Sequence, residues 1–344
     1  VRGDHTLVVR QDNIGDVLLA GPCIRAAAAG SERVTVLVGP RGRAAADLLP
    51  GVDEVIEWEA PWIDPQPSWP GQAAVLDVVD RIRRRRIDRA LILTSFHQSP
   101  LPTALVLRLA GVPWIAAISE DYPGALLDVR HRLDADIPES ERALSLARRA
   151  GFDLPPGDDG RLRLRAALPD VSRHIGAPPY VVVHPGASAP ARTPSRMWWT
   201  RVVDALVDGG HRVIVTGGAD ETALTRAVAA DHAADLGGRT SLAELAAVLR
   251  GAYATVAPNT GAAHLSAAVG TPVASLFAPL VPVERWQPYG VRCVVLGDQR
   301  APCRGTRVRE CRLAAHPCLD AIEPEEVTTA VETLSTPVGL GNPR

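Results

Sequence analysis

The chain has 344 residues, 46% of them hydrophobic, and a formal net charge of −2. That length exceeds one ordinary core and predicts two domains, while the balanced charge leaves no global basic surplus for nucleic acid. All 37 basic residues are arginine, which we read as a compositional bias and not as chemistry. In chain order, Thr6 to Arg10 reads as an apolar strand, Gln11 to Asp16 as a polar loop holding Gly15, and Val17 to Ala29 as a helix with Pro22 a defect near its first turns. The strand Val34 to Val38 follows, then the alternation runs on through Ala44 to Leu49, Glu54 to Trp58, Ala73 to Arg84, Ala90 to Thr94, Leu105 to Ala110 and Pro113 to Ile118. Between these, Ala60 to Gly71 carries four prolines and two tryptophans and is expected to be an ordered surface loop. The arginines Arg83 to Arg86 close a helix, where cations suit the negative end of its dipole. Ser119 to Arg132 reads as a loop and Glu139 to Ala150 as a helix.

From Gly151 to Pro179 the pattern weakens under a run of Pro, Gly and Asp, which marks a domain boundary. A second alternating set follows: strand Tyr180 to His184, helix Trp198 to Asp208, strand His211 to Thr216, helices Glu221 to Ala230 and Leu242 to Arg250, strand Ala254 to Ala257, helix Ala262 to Val269, strand Val273 to Phe277. The reading is α/β, two doubly wound halves facing a cleft, with domains 1–170 and 171–344. The charge-free stretch Ala262 to Val283 is long enough for a bilayer, but Gly270, Thr271, Pro272 and Pro279 break it, so no transmembrane segment is expected. With no signal-peptide pattern either, the chain is expected to be cytoplasmic.

Ligands of doubly wound sheets bind at the carboxyl ends of the strands. Asp16 stands there after the first strand, as a cleft-facing acid or as a simple first-turn acid of the next helix. In the second half, His184-Pro185-Gly186-Ala187-Ser188 is a tight turn of small residues with Arg192 and Arg196 after it, and Gly217-Gly218 is another, followed by Asp220 and Glu221. Asn259, Thr260 and Gly261 precede a helix, where backbone N–H groups and the dipole favour an anionic group, and His264 lies in its first turn. Asn and Thr are also good helix caps, so a plain cap fits those two residues equally. Three such loops on one half-sheet point to a nucleoside diphosphate. No Asp-x-Asp sits at a strand end of this half to hold a metal against it, so no metal is expected.

Taken together, Ile14-Gly15-Asp16-Val17-Leu18, His184 to Ser188, Gly237-Gly238-Arg239-Thr240-Ser241-Leu242 and Pro258-Asn259-Thr260-Gly261-Ala262-Ala263-His264-Leu265 resemble glycosyltransferase family 9, the ADP-heptose heptosyltransferases, in the same order over nearly the whole chain. The resemblance implies a GT-B architecture of two Rossmann-like domains: an acceptor-binding N-terminal one, a C-terminal one binding the nucleotide sugar, and a last helix (here Pro324 to Leu334) crossing back. It implies inverting, metal-independent transfer from a nucleotide-sugar donor, ADP-heptose in type, to an acceptor hydroxyl on a surface glycan or natural-product scaffold. No further cofactor is implied. Carried over by position, Asp16 is the general base. Ser188 and Ala189 lie beside the diphosphate, Arg192 replaces the usual Lys, Glu221 is the ribose-binding acid, and Thr260, Gly261 and His264 contact phosphate and sugar. Asn259 stands in the donor site where the family commonly has Asp.

Two other readings use the same build: a nucleotide-sugar epimerase or hydrolase, and a non-catalytic nucleotide-sugar binding module. The five cysteines, four of them near the C-terminus, match no zinc spacing, and free thiols are their default reading in a cytoplasmic protein, with a metal or a redox-sensitive disulfide as the others.

Overall fold

The computed structural model describes residues 4–63, 68–95, 97–133, 135–165, 167–313 and 315–336. The chain divides into two compact units, Val1–Arg165 and Ala166–Arg344. Part of the proline-rich loop, residues 64–67, lies outside the described residues.

The first unit is a parallel sheet of β1 (His5–Val9), β2 (Arg33–Val38), β3 (Glu54–Glu57), β4 (Arg89–Ile92), β5 (Trp114–Ile118) and β6 (Val129–His131), in the order β3-β2-β1-β4-β5-β6. Its helices are α1 (Ile14–Leu19), α2 (Gly21–Ala29), α3 (Arg43–Leu48), α4 (Gln72–Arg85), α5 (Leu101–Leu109) and α6 (Glu139–Arg149). Every residue of β1 is buried, as expected for a central parallel strand covered on both faces. Leu7, Val9, Ile56, Ile92 and Ile115 of the sheet pack with Val78, Val79 and Ile82 of α4 and Leu107 of α5. The arginine run does end a helix: Arg83 pairs with Asp80 and Arg85 Nε donates to Glu54 Oε1 at 2.7 Å.

Three elements differ from the sequence reading. The stretch read as one helix after β1 is two, broken at Ala20, because Gly21 and Pro22 open a new first turn. Gly15 and Asp16 lie inside α1 and not in the loop before it. Ser119 to Arg132 is not all loop, since Val129–His131 pairs in parallel with β5; three half-buried residues at a sheet edge carry too little pattern to be read.

The second unit repeats the topology with β7 (Val181–Val183), β8 (Val213–Val215), β9 (Ala234–Asp235), β10 (Ala254–Pro258), β11 (Val273–Leu276) and β12 (Cys293–Leu296), in the order β12-β11-β10-β7-β8-β9 and parallel throughout. The helices are α7 (Ser172–Ile175), α8 (Arg196–Asp208), α9 (Thr222–Ala229), α10 (Leu242–Gly251), α11 (Gly261–Ala268), α12 (Val283–Trp286), α13 (Pro317–Asp320) and α14 (Pro324–Ser335). Ser195 caps α8 and Ser241 forms a capping box with Glu244 at α10. The last helix, α14, buries Val327, Ala330, Val331 and Leu334 in this unit's core with Val202, Val203 and Leu206 of α8.

The segment after α6 belongs to the first unit. Arg25 of α2 holds the Asp158 carboxylate through Nε at 2.6 Å and Nη2 at 2.9 Å, and donates to the Arg161 carbonyl at 2.8 Å. The Arg165 backbone N–H donates to the Leu48 carbonyl at 2.9 Å. All five cysteines are free thiols. Cys318 is buried, which pushes its thiol up to about 12, helped by the neighbouring Cys303 and Cys311.

Candidate active site

In each sheet the strand order reverses once, between β1 and β4 in the first unit and between β7 and β10 in the second. These are the topological switch points, where loops diverge to opposite faces and leave a crevice at the carboxyl ends of the strands. The predicted site residues fall on loops and helix starts beside them.

In the second unit β7 runs into His184, whose N–H donates to the Val256 carbonyl of β10 at 2.9 Å and whose Nδ1 lies 3.0 Å from Thr216 Oγ1. Burial pushes the imidazole below the usual histidine range, against the opposing pull of Glu221, so it is neutral at pH 7. The turn after it is closed by Thr193, which donates to the Pro185 carbonyl at 2.6 Å and accepts from Trp199 Nε1 at 2.9 Å. Ser188 is exposed, Ala189 is buried, and Arg192 ends a short 3-10 turn at Pro190–Arg192. The loop bearing Cys303 and Cys311 clasps this turn from outside: Arg309 donates to the Ser188 carbonyl at 2.8 Å and its own carbonyl accepts from the Ala191 N–H at 3.0 Å.

Glu221 precedes α9, and its Oε2 accepts from the Gly218 N–H at 2.7 Å and lies 4.0 Å from His184 Nε2. A Cβ on Gly186 would overlap that carboxylate, and one on Gly217 would meet it at 3.1 Å. The two Gly-bearing turns are therefore shaped around one acid, which the sequence presented as separate turn signals. Asn259 is 6% exposed and His264 3%. Thr260 stands at the cap position of α11 in extended conformation, yet its side chain makes no cap hydrogen bond, and Oγ1 is buried with no partner among the described residues. The plain-cap reading of this residue is thus not what the structure shows. With no side chain capping it, the start of α11 at Gly261 keeps the anion-binding potential of an open helix N-terminus.

In the first unit Asp16 lies in the first turn of α1 and its Oδ1 accepts from Arg10 Nη2 at 2.8 Å. Arg10 was not singled out in the sequence. It is 4% exposed and is also held by Asp12 at 3.0 Å, Ser95 at 3.2 Å and Glu139 at 3.7 Å. Gln98 Nε2 donates to the second oxygen of Asp12 at 2.7 Å, and Arg142 lies 3.2 Å from Glu139. Burial pushes the Asp12 carboxyl up and the Asp16 charge adds to that, while Arg10 opposes both. For Arg10 itself the only sequence signal was a charged residue closing an apolar strand.

Two six-stranded parallel Rossmann-like units, the second with an open helix start beside two glycine turns at its switch point, define the GT-B class of α/β glycosyltransferase folds. The solved structure of E. coli ADP-heptose lps heptosyltransferase II matches with a TM-score of 0.75 and 21% identity, covering 96% of this chain and 98% of that one. E. coli heptosyltransferase WaaC with ADP matches with a TM-score of 0.72 and 18% identity, covering 96% and 99%. The family model for glycosyltransferase family 9 (heptosyltransferase) matches residues 75–316. Among curated proteins, lipopolysaccharide heptosyltransferase 1 of Pseudomonas aeruginosa is 28% identical over 73% of this chain and 75% of its own length. Lipopolysaccharide heptosyltransferase 3 of Escherichia coli is 28% identical over 52% of this chain, a match that spans 54% of that protein. The chain belongs to glycosyltransferase family 9.

Among the described residues no helix is long and apolar enough to cross a membrane.

Proposed function

We propose that this chain is an inverting glycosyltransferase that moves a heptose from ADP-heptose to an acceptor hydroxyl. The observation that carries the reading is the second unit's switch point, where the uncapped start of α11 at Asn259, Thr260 and Gly261 adjoins the loop from His184 to Arg192 and the Glu221 carboxylate. The helix start and Arg192 would take the diphosphate, Ser188 and Ala189 allow its close approach, and Glu221 would accept from ribose hydroxyls. His264, in the same helix, would contact the sugar. As the sugar leaves, charge grows on the diphosphate, which is where a helix dipole and a guanidinium stabilise most. In the first unit Asp16 would take the acceptor's proton as its oxygen attacks the anomeric carbon.

The test is ADP release, with product mass spectrometry, from ADP-heptose against UDP- and GDP-sugars over a panel of glycan and scaffold acceptors. ADP-heptose is expected to turn over fastest and to do so in EDTA. Faster release from a UDP- or GDP-sugar would overturn the donor assignment, and loss of turnover in EDTA restored by Mg²⁺ would overturn the metal-free leaving-group site.

A further inference from the structure

Three carboxylates surround the buried Arg10, and they are not equivalent. The side chains of Asp12 and Glu139 are 8% and 3% exposed, whereas that of Asp16 is 17% exposed. Asp12 is braced by Gln98, whose own Oε1 accepts from the Ser95 N–H at 3.0 Å, and Glu139 is braced by Arg142. Asp16 is held by Arg10 alone, through Oδ1, and no protein hydrogen bond among the described residues reaches its Oδ2.

We infer that Arg10 is a positioning residue for Asp16, with Asp12, Ser95 and Glu139 serving to hold the guanidinium in place. This rests on the reading of Asp16 as the base. A guanidinium spreads its donors in a plane, so contacts to Asp12, Ser95 and Glu139 fix where Nη2 points, and Nη2 then fixes one oxygen of Asp16. The other oxygen is left to receive a proton. With Arg10 and Arg142 set against Asp12, Asp16 and Glu139, the group carries one charge in excess when all three acids are ionised. Removing Arg10 leaves three carboxylates around an empty site, and takes away the one side-chain contact that fixes Asp16.

The experiment compares Arg10→Met, Arg10→Lys and Asp16→Asn in the whole chain, measuring ADP release from ADP-heptose and ADP affinity by calorimetry. Arg10→Met is expected to lower kcat about tenfold to a hundredfold, the size of one lost charge-assisted contact. The ADP dissociation constant should be unchanged, and Arg10→Lys should recover part of kcat. Wild-type kcat in Arg10→Met beside an inactive Asp16→Asn would overturn the inference and leave the base in place. An active Asp16→Asn, or wild-type protein that releases no ADP, would overturn the base assignment and this inference with it. If Arg10→Met does not fold, Ser95→Ala removes one contact to the same Nη2 without stranding a charge. A lower kcat at unchanged ADP affinity supports the inference there, and an unchanged kcat overturns it.

Discussion

The Glu221 carboxylate fills the space that a Cβ on Gly186 would need. The glycine of the turn after β7 is therefore required by a side chain from the turn after β8, and not by its own backbone, which is not among the positive-φ glycines. Gly186→Ala is expected to push Glu221 off the Gly218 N–H and away from its place near His184. We expect ADP affinity to fall about tenfold or more, as for loss of a hydrogen bond to a charged group, with the fold retained. Calorimetry showing wild-type ADP affinity in a folded Gly186→Ala would remove Glu221 from the donor site.

Arg192 carries the next prediction. It ends the 3-10 turn whose backbone is clasped by Arg309, so its Cα is well fixed while its side chain is half-buried. If its guanidinium meets the diphosphate, Arg192→Ala should weaken ADP by about 1.5 to 3 kcal/mol, and Arg192→Lys should recover only part of that because the planar fork is lost. Equal ADP titrations for wild type and Arg192→Ala would place the cation elsewhere.

The fold was legible where burial is periodic. Central parallel strands such as β1 and β10 are mostly apolar and buried throughout, and the loops after them carry the small and polar residues that mark a switch point. Two edge strands were not legible, since β6 and β9 are three and two residues long. The half-buried Cys293, Val294, Val295 and Leu296 of β12 were likewise left unread. In the site, Asp16 and the second-unit loops could be named from position in the alternation, but Arg10 could not. Its partners Asp12, Ser95 and Glu139 are scattered along the chain, and an ion pair closed by tertiary folding leaves no local pattern. The same holds for Arg25 and Asp158, which draw a segment of turn-like composition onto α2.

That pair has a pH signature. The bidentate contact from Arg25 and the Gly160 N–H hold the Asp158 carboxyl down at about 2, and its side chain is 5% exposed. Against an unfolded value of about 3.9, the lowered pKa contributes about 2.6 kcal/mol of stability. This contribution is fully present above the unfolded value and is lost as pH falls through the folded one. Asp158→Asn should therefore be less stable than wild type by about that amount at pH 7, and the gap should close between about pH 4 and pH 2. Urea unfolding followed across pH measures it, and a gap that stays constant to low pH would show that the contact contributes through packing alone.

Asp16→Asn tests the chemistry itself. The residue sits in the first turn of α1, so a stability role as a helix-dipole acid competes with a role as the base. Its Oδ1 is taken up by Arg10 and not by the start of its own helix, and the cap residue Asn13 makes no side-chain cap bond either. Asparagine keeps the size and one acceptor oxygen for Arg10 but has no ionised oxygen to take a proton. General-base assistance is worth about a hundredfold to ten-thousandfold. Turnover of Asp16→Asn should fall by at least the lower of these, while ADP affinity, which the proposed function assigns to the second unit's loops, stays at the wild-type value. Asp12 lies on the same Arg10, but burial drives its carboxyl toward the protonated form, and Asp121 is exposed and accepts from Ser99 Oγ at 2.7 Å. A large loss of melting temperature with normal turnover per folded molecule would make Asp16 a stabilising helix acid. Normal turnover and normal stability would send the search for the base to Asp121, the more accessible of the other two.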